Sequence, residues 1–235
     1  MRIEPLGDSA LLVQVVEEFD PDKSLDAVLG CFHALELAKI PGVIELAPAS
    51  TTIGVFFDQA RIVRAGGESS AFEALTNRIG LTLHTSLESA GCRAVKAPVV
   101  EVSVCYEDEF ALDLADVARH AGLSHDDVIQ RHSDATYRVT CVGFTPGFPY
   151  LSGLPRELAT PRRATPRKEI PAGAVAIGGT QTGIYPRKSP GGWNIIGRTP
   201  LRLFDVQQNP PAVMQAGDEV RFRKISRSEF EQFSA

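Results

Sequence analysis

Nine of the chain's 24 Lys and Arg residues fall between positions 156 and 202, beside only two Glu, giving a local net charge of +7 in a protein whose overall charge is -5. The remainder therefore carries -12. Clustered cations focus a field toward anions, so this cluster points to an anionic ligand or an acidic partner surface. The negative total argues against a nucleic-acid binder. Within the basic region, residues 178–200 read GGTQTGIYPRKSPGGWNIIGRTP, and residues 143–200 hold ten of the 20 Gly and nine of the 16 Pro. A bias of that kind can signal disorder. Here Phe144, Phe148, Tyr150, Ile177, Tyr185 and Trp193 interrupt the turns, and disordered chain is poor in such residues. Gly permits close backbone approach and Pro pre-sets φ, so the expectation is a rigid turn system whose amides and side chains face a pocket.

Familiar catalytic patterns fit poorly. Gly178 and Gly183 have phosphate-loop spacing, but Ile184 and Tyr185 stand where Lys and Ser or Thr would be needed. No GxSxG surrounds a serine and no HExxH occurs. His125 and His132 lie seven residues apart on a predicted helix, about 10.5 Å along its axis, too far to share a metal ion. His132 is the better functional candidate, because it precedes the strand feeding GFTPGFPYL. Cys31, Cys92, Cys105 and Cys141 are scattered without CxxC spacing, which predicts reduced thiols in a cytoplasmic protein and no metal site.

The elements that must position these residues fall into two blocks, an α+β domain over 1–88 and a β-barrel domain over 89–235. In the first, strands are predicted at Ile3–Leu6, Leu11–Val16, Val43–Leu46 and Thr51–Phe57, with a helix from Leu25 ahead of Pro41-Gly42. A second helix through Ala71, Leu75 and Ile79 is expected to stop at Gly80, and 85–97 reads as a linker. In the second block Val99–Cys105 alternates as a strand. Helices follow over Leu112–Ala121 and Ser124–His132, Ser124 capping the latter. Strands are then expected at Tyr137–Val142, Ala174–Ile177, Trp193–Ile196, Leu201–Phe204 and Glu219–Ile225. Many short strands separated by Gly and Pro suggest a barrel. No apolar run approaches the ~18 residues of a membrane helix, and the alternating N-terminus does not look like a secretory signal.

Tyr137, GFTPGFPYLSGLP at 143–155, TPRRATPRKEIPAG at 160–173 and the 178–200 run, together with GDSALLV near the start and AGDEVRF near the end, strongly resemble the family of 5-oxoprolinase B subunits. That family is also called allophanate hydrolase subunit 1, and includes the sporulation-kinase inhibitor and carboxyltransferase subdomains C and D. The resemblance implies an N-terminal α+β domain followed by a cyclophilin-like β-barrel. It further implies an ATP-dependent amidohydrolase, with or without Mg, that opens 5-oxo-L-proline to L-glutamate. The implied partners are a homologue of allophanate hydrolase subunit 2, which is the C subunit of 5-oxoprolinase, and a LamB/YcsF-like protein, its A subunit. The chain alone is expected to be inactive. Alternatives within the resemblance are an inhibitor of a sensor histidine kinase and a component of an allophanate or urea-amide hydrolase.

On this reading Arg162, Arg163 and Arg167 bind a substrate carboxylate or phosphate, since guanidinium forks match such oxygens. Gln181, Thr182 and the amides of Gly178, Gly179 and Gly183 hold a carbonyl or developing oxyanion. Tyr185, Ser189, Trp193 and Arg198, with His132, complete the substrate-binding wall, and Phe144, Pro146 and Phe148 form its apolar side. No general base or nucleophile stands out, which suggests a composite site.

Overall fold

A computed structural model describes residues 1–18, 20, 23–66, 70–89 and 99–233. The chain divides into two compact units, Met1–Lys96 and Ala97–Ala235. The expected boundary after residue 88 falls in the last turn of a helix, and residues 90–98 lie outside those described.

The first unit runs β1 (Arg2–Pro5), β2 (Ala10–Gln14), α1 (Ser24–Ala38), β3 (Val43–Pro48), β4 (Thr52–Phe57), α2 (Gln59–Gly66) and α3 (Ala71–Ser89). Its antiparallel sheet has the order β1-β2-β4-β3. Period-two alternation turns Leu11, Val13, Ile53, Val55 and Phe57 to one face, where Val28, Leu35, Leu75, Ile79 and Leu83 cover them. Gly80 does not end α3. Leu83 continues the four-residue spacing of Leu75 and Ile79 and is fully buried, and such burial outweighs the ~1 kcal/mol that Gly costs a helix interior. Residues 85–89, expected in a linker, are consequently helical.

The second unit runs β5 (Val99–Cys105), α4 (Leu114–Ala121), α5 (His125–Asp134), β6 (Thr136–Val142), β7 (Pro149–Ser152), a 3-10 turn (Arg156–Leu158), β8 (Arg167–Ile170), β9 (Ala174–Gly178), β10 (Gln181–Ile184), β11 (Ser189–Gly191), β12 (Asn194–Arg198), β13 (Glu219–Ile225) and α6 (Arg227–Phe233). Seven strands close into a barrel in the order β10-β7-β6-β13-β5-β12-β9. The fold class is thus α+β with a β-barrel, as expected. β13 and β5 pair in parallel from Glu219↔Val99 to Ile225↔Cys105, while the other barrel pairs are antiparallel. β8 and β11 form a separate two-stranded ribbon. Leu201–Phe204 is not a strand; only a bridge from Phe204 to Ala212 remains of it.

Two local features set the site. Ser124 caps α5 through a capping box: its hydroxyl accepts from the Asp127 amide (3.1 Å), and the Asp127 carboxylate accepts from the Ser124 amide (3.3 Å). This anchors the helix that carries His132. Along β9, Val175 and Ile177 point into the barrel with Val139, Leu151, Ile184, Ile196 and Val220, while Ala174 and Ala176 belong to a second apolar cluster outside.

Candidate functional site

The small side chains of Ala174 and Ala176 leave room on the barrel's outer face for a layer of rings. Phe148, Tyr185 and Trp193 are buried there, with Tyr150 half-buried beside them. Phe148 meets Tyr185 (5.1 Å between centroids, 80°) and Trp193 (5.6 Å, 86°) edge to face, the arrangement that the ring quadrupole favours. Gly178 and Gly183 serve this layer by lacking a side chain. A Cβ at Gly178 would sit 2.4 Å from the Trp193 ring, and one at Gly183 would sit 2.9 Å from Phe148. The expected role for their amides is therefore not the visible one: both glycines lie in the β9–β10 hairpin, paired with Gln181 and Ala176 respectively. Gly179 donates its N–H to the Thr160 carbonyl (2.8 Å).

Two side chains open this layer to the surroundings. Phe144, at φ +67° in the left-handed region, is 61% exposed and reaches Phe148 at 5.7 Å and Tyr185 at 6.5 Å. A non-glycine residue held there costs on the order of 1 kcal/mol, which the three-ring contact offsets. Arg162 is exposed, with its guanidinium 5.6 Å from the Trp193 ring centroid and no carboxylate paired to it among the described residues.

Arg163 and Arg167 have a different fate. Both point at Asp113, whose side chain is 1% exposed: Arg163 Nη1 donates at 2.6 Å, and Arg167 Nη1 and Nη2 donate at 2.7 and 2.8 Å. The Ile195 amide donates to the same carboxylate at 2.7 Å. Here two guanidinium groups expected to hold a substrate anion hold an internal one. Asp113 sits at the N-cap of α4 yet makes no cap hydrogen bond, because its oxygens are used across the fold. In sequence it reads as an ordinary acidic residue in the first turn of the helix predicted over Leu112–Ala121, which conceals it. Asn194 was likewise not singled out; its amide donates to the carbonyls of Pro161 (2.9 Å) and Ile177 (3.2 Å), tying the arginine-bearing segment to the barrel.

His132 does not line a surface. Its ring is 0% exposed, stacked on Phe222 at 4.5 Å. Thr182 Oγ1 donates to the Ala176 carbonyl (3.0 Å), so it accepts from His132 Nε2–H (3.1 Å), and Nδ1 then accepts from the Tyr106 hydroxyl (2.9 Å). Both ring nitrogens are engaged. Burial holds the imidazole neutral, with its pKa lowered to about 3. The expectation that His132 and Thr182 contact substrate does not match side chains enclosed in the core.

The carboxyltransferase domain profile, subdomain C and D, matches residues 1–214. The B subunit of 5-oxoprolinase from Bacillus subtilis (strain 168) is 41% identical over 238 residues, covering 99% of this chain and 96% of its own. The chain belongs to the family of 5-oxoprolinase B subunits. The Escherichia coli O157:H7 relative of the same name is 40% identical across 92% of this chain and 93% of its own. Among solved structures, TTHA0988 superposes with a TM-score of 0.75 at 32% identity, over 92% of this chain but only 40% of its own length. PH0987 from Pyrococcus horikoshii is 38% identical, with a TM-score of 0.56 over 97% of this chain and 100% of its own.

Within this member of the B-subunit family, the expected site residues divide into groups. Phe144, Phe148, Tyr185, Trp193 and Arg162 come together, Gly178 and Gly183 lying beneath the rings. Pro146 is exposed on the Phe144 loop, Gln181 is half-buried at the start of β10, and Ser189 on β11 has a buried hydroxyl with no partner among the described residues. Arg198 ends β12, roughly 16 Å along the chain from Trp193 at ~3.3 Å per residue. Tyr150 joins the layer without having been expected there as a site residue.

Chemically the layer offers apolar ring faces and one exposed cation, and its shifted groups move away from neutrality. Burial raises the phenols of Tyr150 and Tyr185, with Arg162 pulling each back, and burial likewise raises the Cys141 thiol. Among the described residues no group of His, Cys, Asp or Glu is arranged to hold a metal ion, and no helix is long and apolar enough to cross a membrane.

Proposed function

We propose that this chain is the B subunit of an ATP-dependent 5-oxoprolinase, which converts 5-oxo-L-proline, ATP and water into L-glutamate, ADP and phosphate. It works with a homologue of the C subunit and a LamB/YcsF-like A subunit. The observation that carries this reading is an exposed Arg162 on Trp193 beside an exposed Phe144, on a chain whose relatives bear the name of the 5-oxoprolinase B subunit. A free guanidinium suits the substrate carboxylate, and the rings suit the flat, largely apolar lactam. The lactam is a poor electrophile. Transfer of the ATP γ-phosphoryl group to its carbonyl oxygen releases ADP and activates the ring carbon for a water. The C–N bond then breaks to give a γ-acyl phosphate and a free amine, and a second water releases phosphate and leaves L-glutamate.

None of these steps is assigned to this chain. Phenols and a thiol raised by burial act as bases only in an anionic form that is rare at neutral pH, and guanidinium is no base at all. Gly178 and Gly183 host rings and Gly179 gives its N–H to the Thr160 carbonyl, which argues against these glycines forming a phosphate cradle. The chain supplies one wall, and the chemistry belongs to the assembled complex. The test is co-expression with both partner homologues and an assay of ATP-dependent glutamate release. Release by the complex and none by the single chain is expected; turnover by the single chain, or none by the complex, overturns the reading.

A further inference from the structure

Arg198 is held more firmly than an arginine at a strand end requires. Its Nε donates to the Ala172 carbonyl at 2.8 Å. Its guanidinium carbon lies 5.9 Å from the centre of the Phe110 ring and 5.8 Å from that of Phe230, two rings that themselves meet at 4.6 Å. Both terminal amines are left without a carboxylate partner among the described residues. They are the part of the fork best shaped for an oxyanion. Fixing the planar group beforehand lowers the entropy lost when a ligand is gripped.

Beside it is a cleft of about 380 Å³, lined by Pro186, Arg198, Thr199, Pro200, Arg202 and Phe230 among others. Arg202 brings a second guanidinium, paired at 3.2 Å with Asp205. One carboxylate thus balances two cations. The backbone adds no spare donors: Pro186 and Pro200 have no N–H, the Thr199 N–H goes to Gly173 and the Leu201 N–H to Thr199 Oγ1, so an anion here is held by the guanidinium groups. Gly173 is locked into this corner, because at φ +80° an added Cβ would meet the Thr199 carbonyl oxygen at 2.2 Å. The corner is therefore rigid, cationic and short of one anion.

We propose that Arg198 and Arg202 form a binding site for a compact oxyanion, carboxylate or phosphate, carried by a free small molecule, distinct from the Arg162–Trp193 surface. The site lies at the other end of β12, and its existence does not depend on the function proposed above.

The test uses the ¹⁵N-labelled full chain at constant ionic strength, titrated separately with inorganic phosphate and with L-glutamate, sodium chloride being the control. Saturable shifts at the Gly173, Thr199 and Leu201 amides are expected. Loss of a charge-assisted fork weakens the apparent affinity about tenfold or more in Arg198→Gln. Arg202→Gln, which stays informative if Arg198→Gln fails to fold, weakens it about threefold through lost field alone. Arg162→Gln leaves it unchanged. Saturation by phosphate alone, or by glutamate alone, supports the site and identifies the oxyanion. Shifts that never saturate, that match those of chloride, or that persist in both cleft variants overturn the proposal.

Discussion

The two faces of β9 and β10 solve opposite problems with the same Gly- and Pro-rich segment. Inside the barrel, Tyr106, His132, Thr182 and the Ala176 carbonyl form a closed chain of hydrogen bonds in which each donor meets an acceptor. Outside, the rings pack as closely, but the layer ends in Arg162 without a carboxylate and Phe144 mostly in solvent. A fully satisfied buried network specifies a fold, whereas an unpaired cation beside exposed rings leaves interaction capacity for something else. The same contrast appears within six residues of sequence, where Arg163 and Arg167 are bound to Asp113 and Arg162 is not. Neighbours of one residue type thus divide into scaffold and surface.

Breaking the scaffold side should have the largest effect. Asp113→Ala leaves two guanidinium groups facing each other and the Ile195 amide unpaired, so urea denaturation should report a loss of about 3–5 kcal/mol. Gly178→Ala drives a methyl group into the Trp193 ring and should cost about 3 kcal/mol. Because Trp193 is the only tryptophan, its near-ultraviolet circular dichroism should change as well.

A pH series sharpens the comparison from the inside. The folded state holds His132 at about 3 against an ordinary 6.5, so the unfolded chain takes up the proton first. Its contribution is fully present above pH 6.5 and declines as pH falls toward 3, by at most about 1.4 kcal/mol per unit. Between pH 7 and 5 the stability of the wild type should therefore fall more steeply than that of His132→Gln. An equal pH slope in both would show that the ring is not buried neutral. On the outer face, Arg162→Gln should change stability by less than about 0.5 kcal/mol, since an exposed stacked side chain supports little of the fold.

Much of the architecture was legible. Alternation at Val99–Cys105 and Glu219–Ile225 marks two barrel strands, and Ser124 marks a helix start. Short strands such as β8 and β11 were not visible, because three or four residues between turns carry too little periodicity. Gly80 misled for a different reason: tertiary burial of Leu83 overrides local propensity. On the outer face, the aromatic residues and the arginine cluster as a whole stand out by composition. Which arginines remain free does not, since that depends on Asp113, some 50 residues upstream and placed by the sequence in the first turn of a helix. His132 failed similarly, as proximity to a loop in sequence says nothing of which way a helix faces.

The central claim is that the Arg162–Trp193 surface binds substrate while contributing almost nothing to the fold. It is tested most directly by comparing Arg162→Gln with the wild type in the assembled three-component complex, measuring turnover of 5-oxo-L-proline and unfolding of this chain in parallel. Loss of one charge-assisted contact predicts about a tenfold or greater fall in kcat/KM with unfolding unchanged. Unaltered kcat/KM in a folded, assembled variant would contradict the claim.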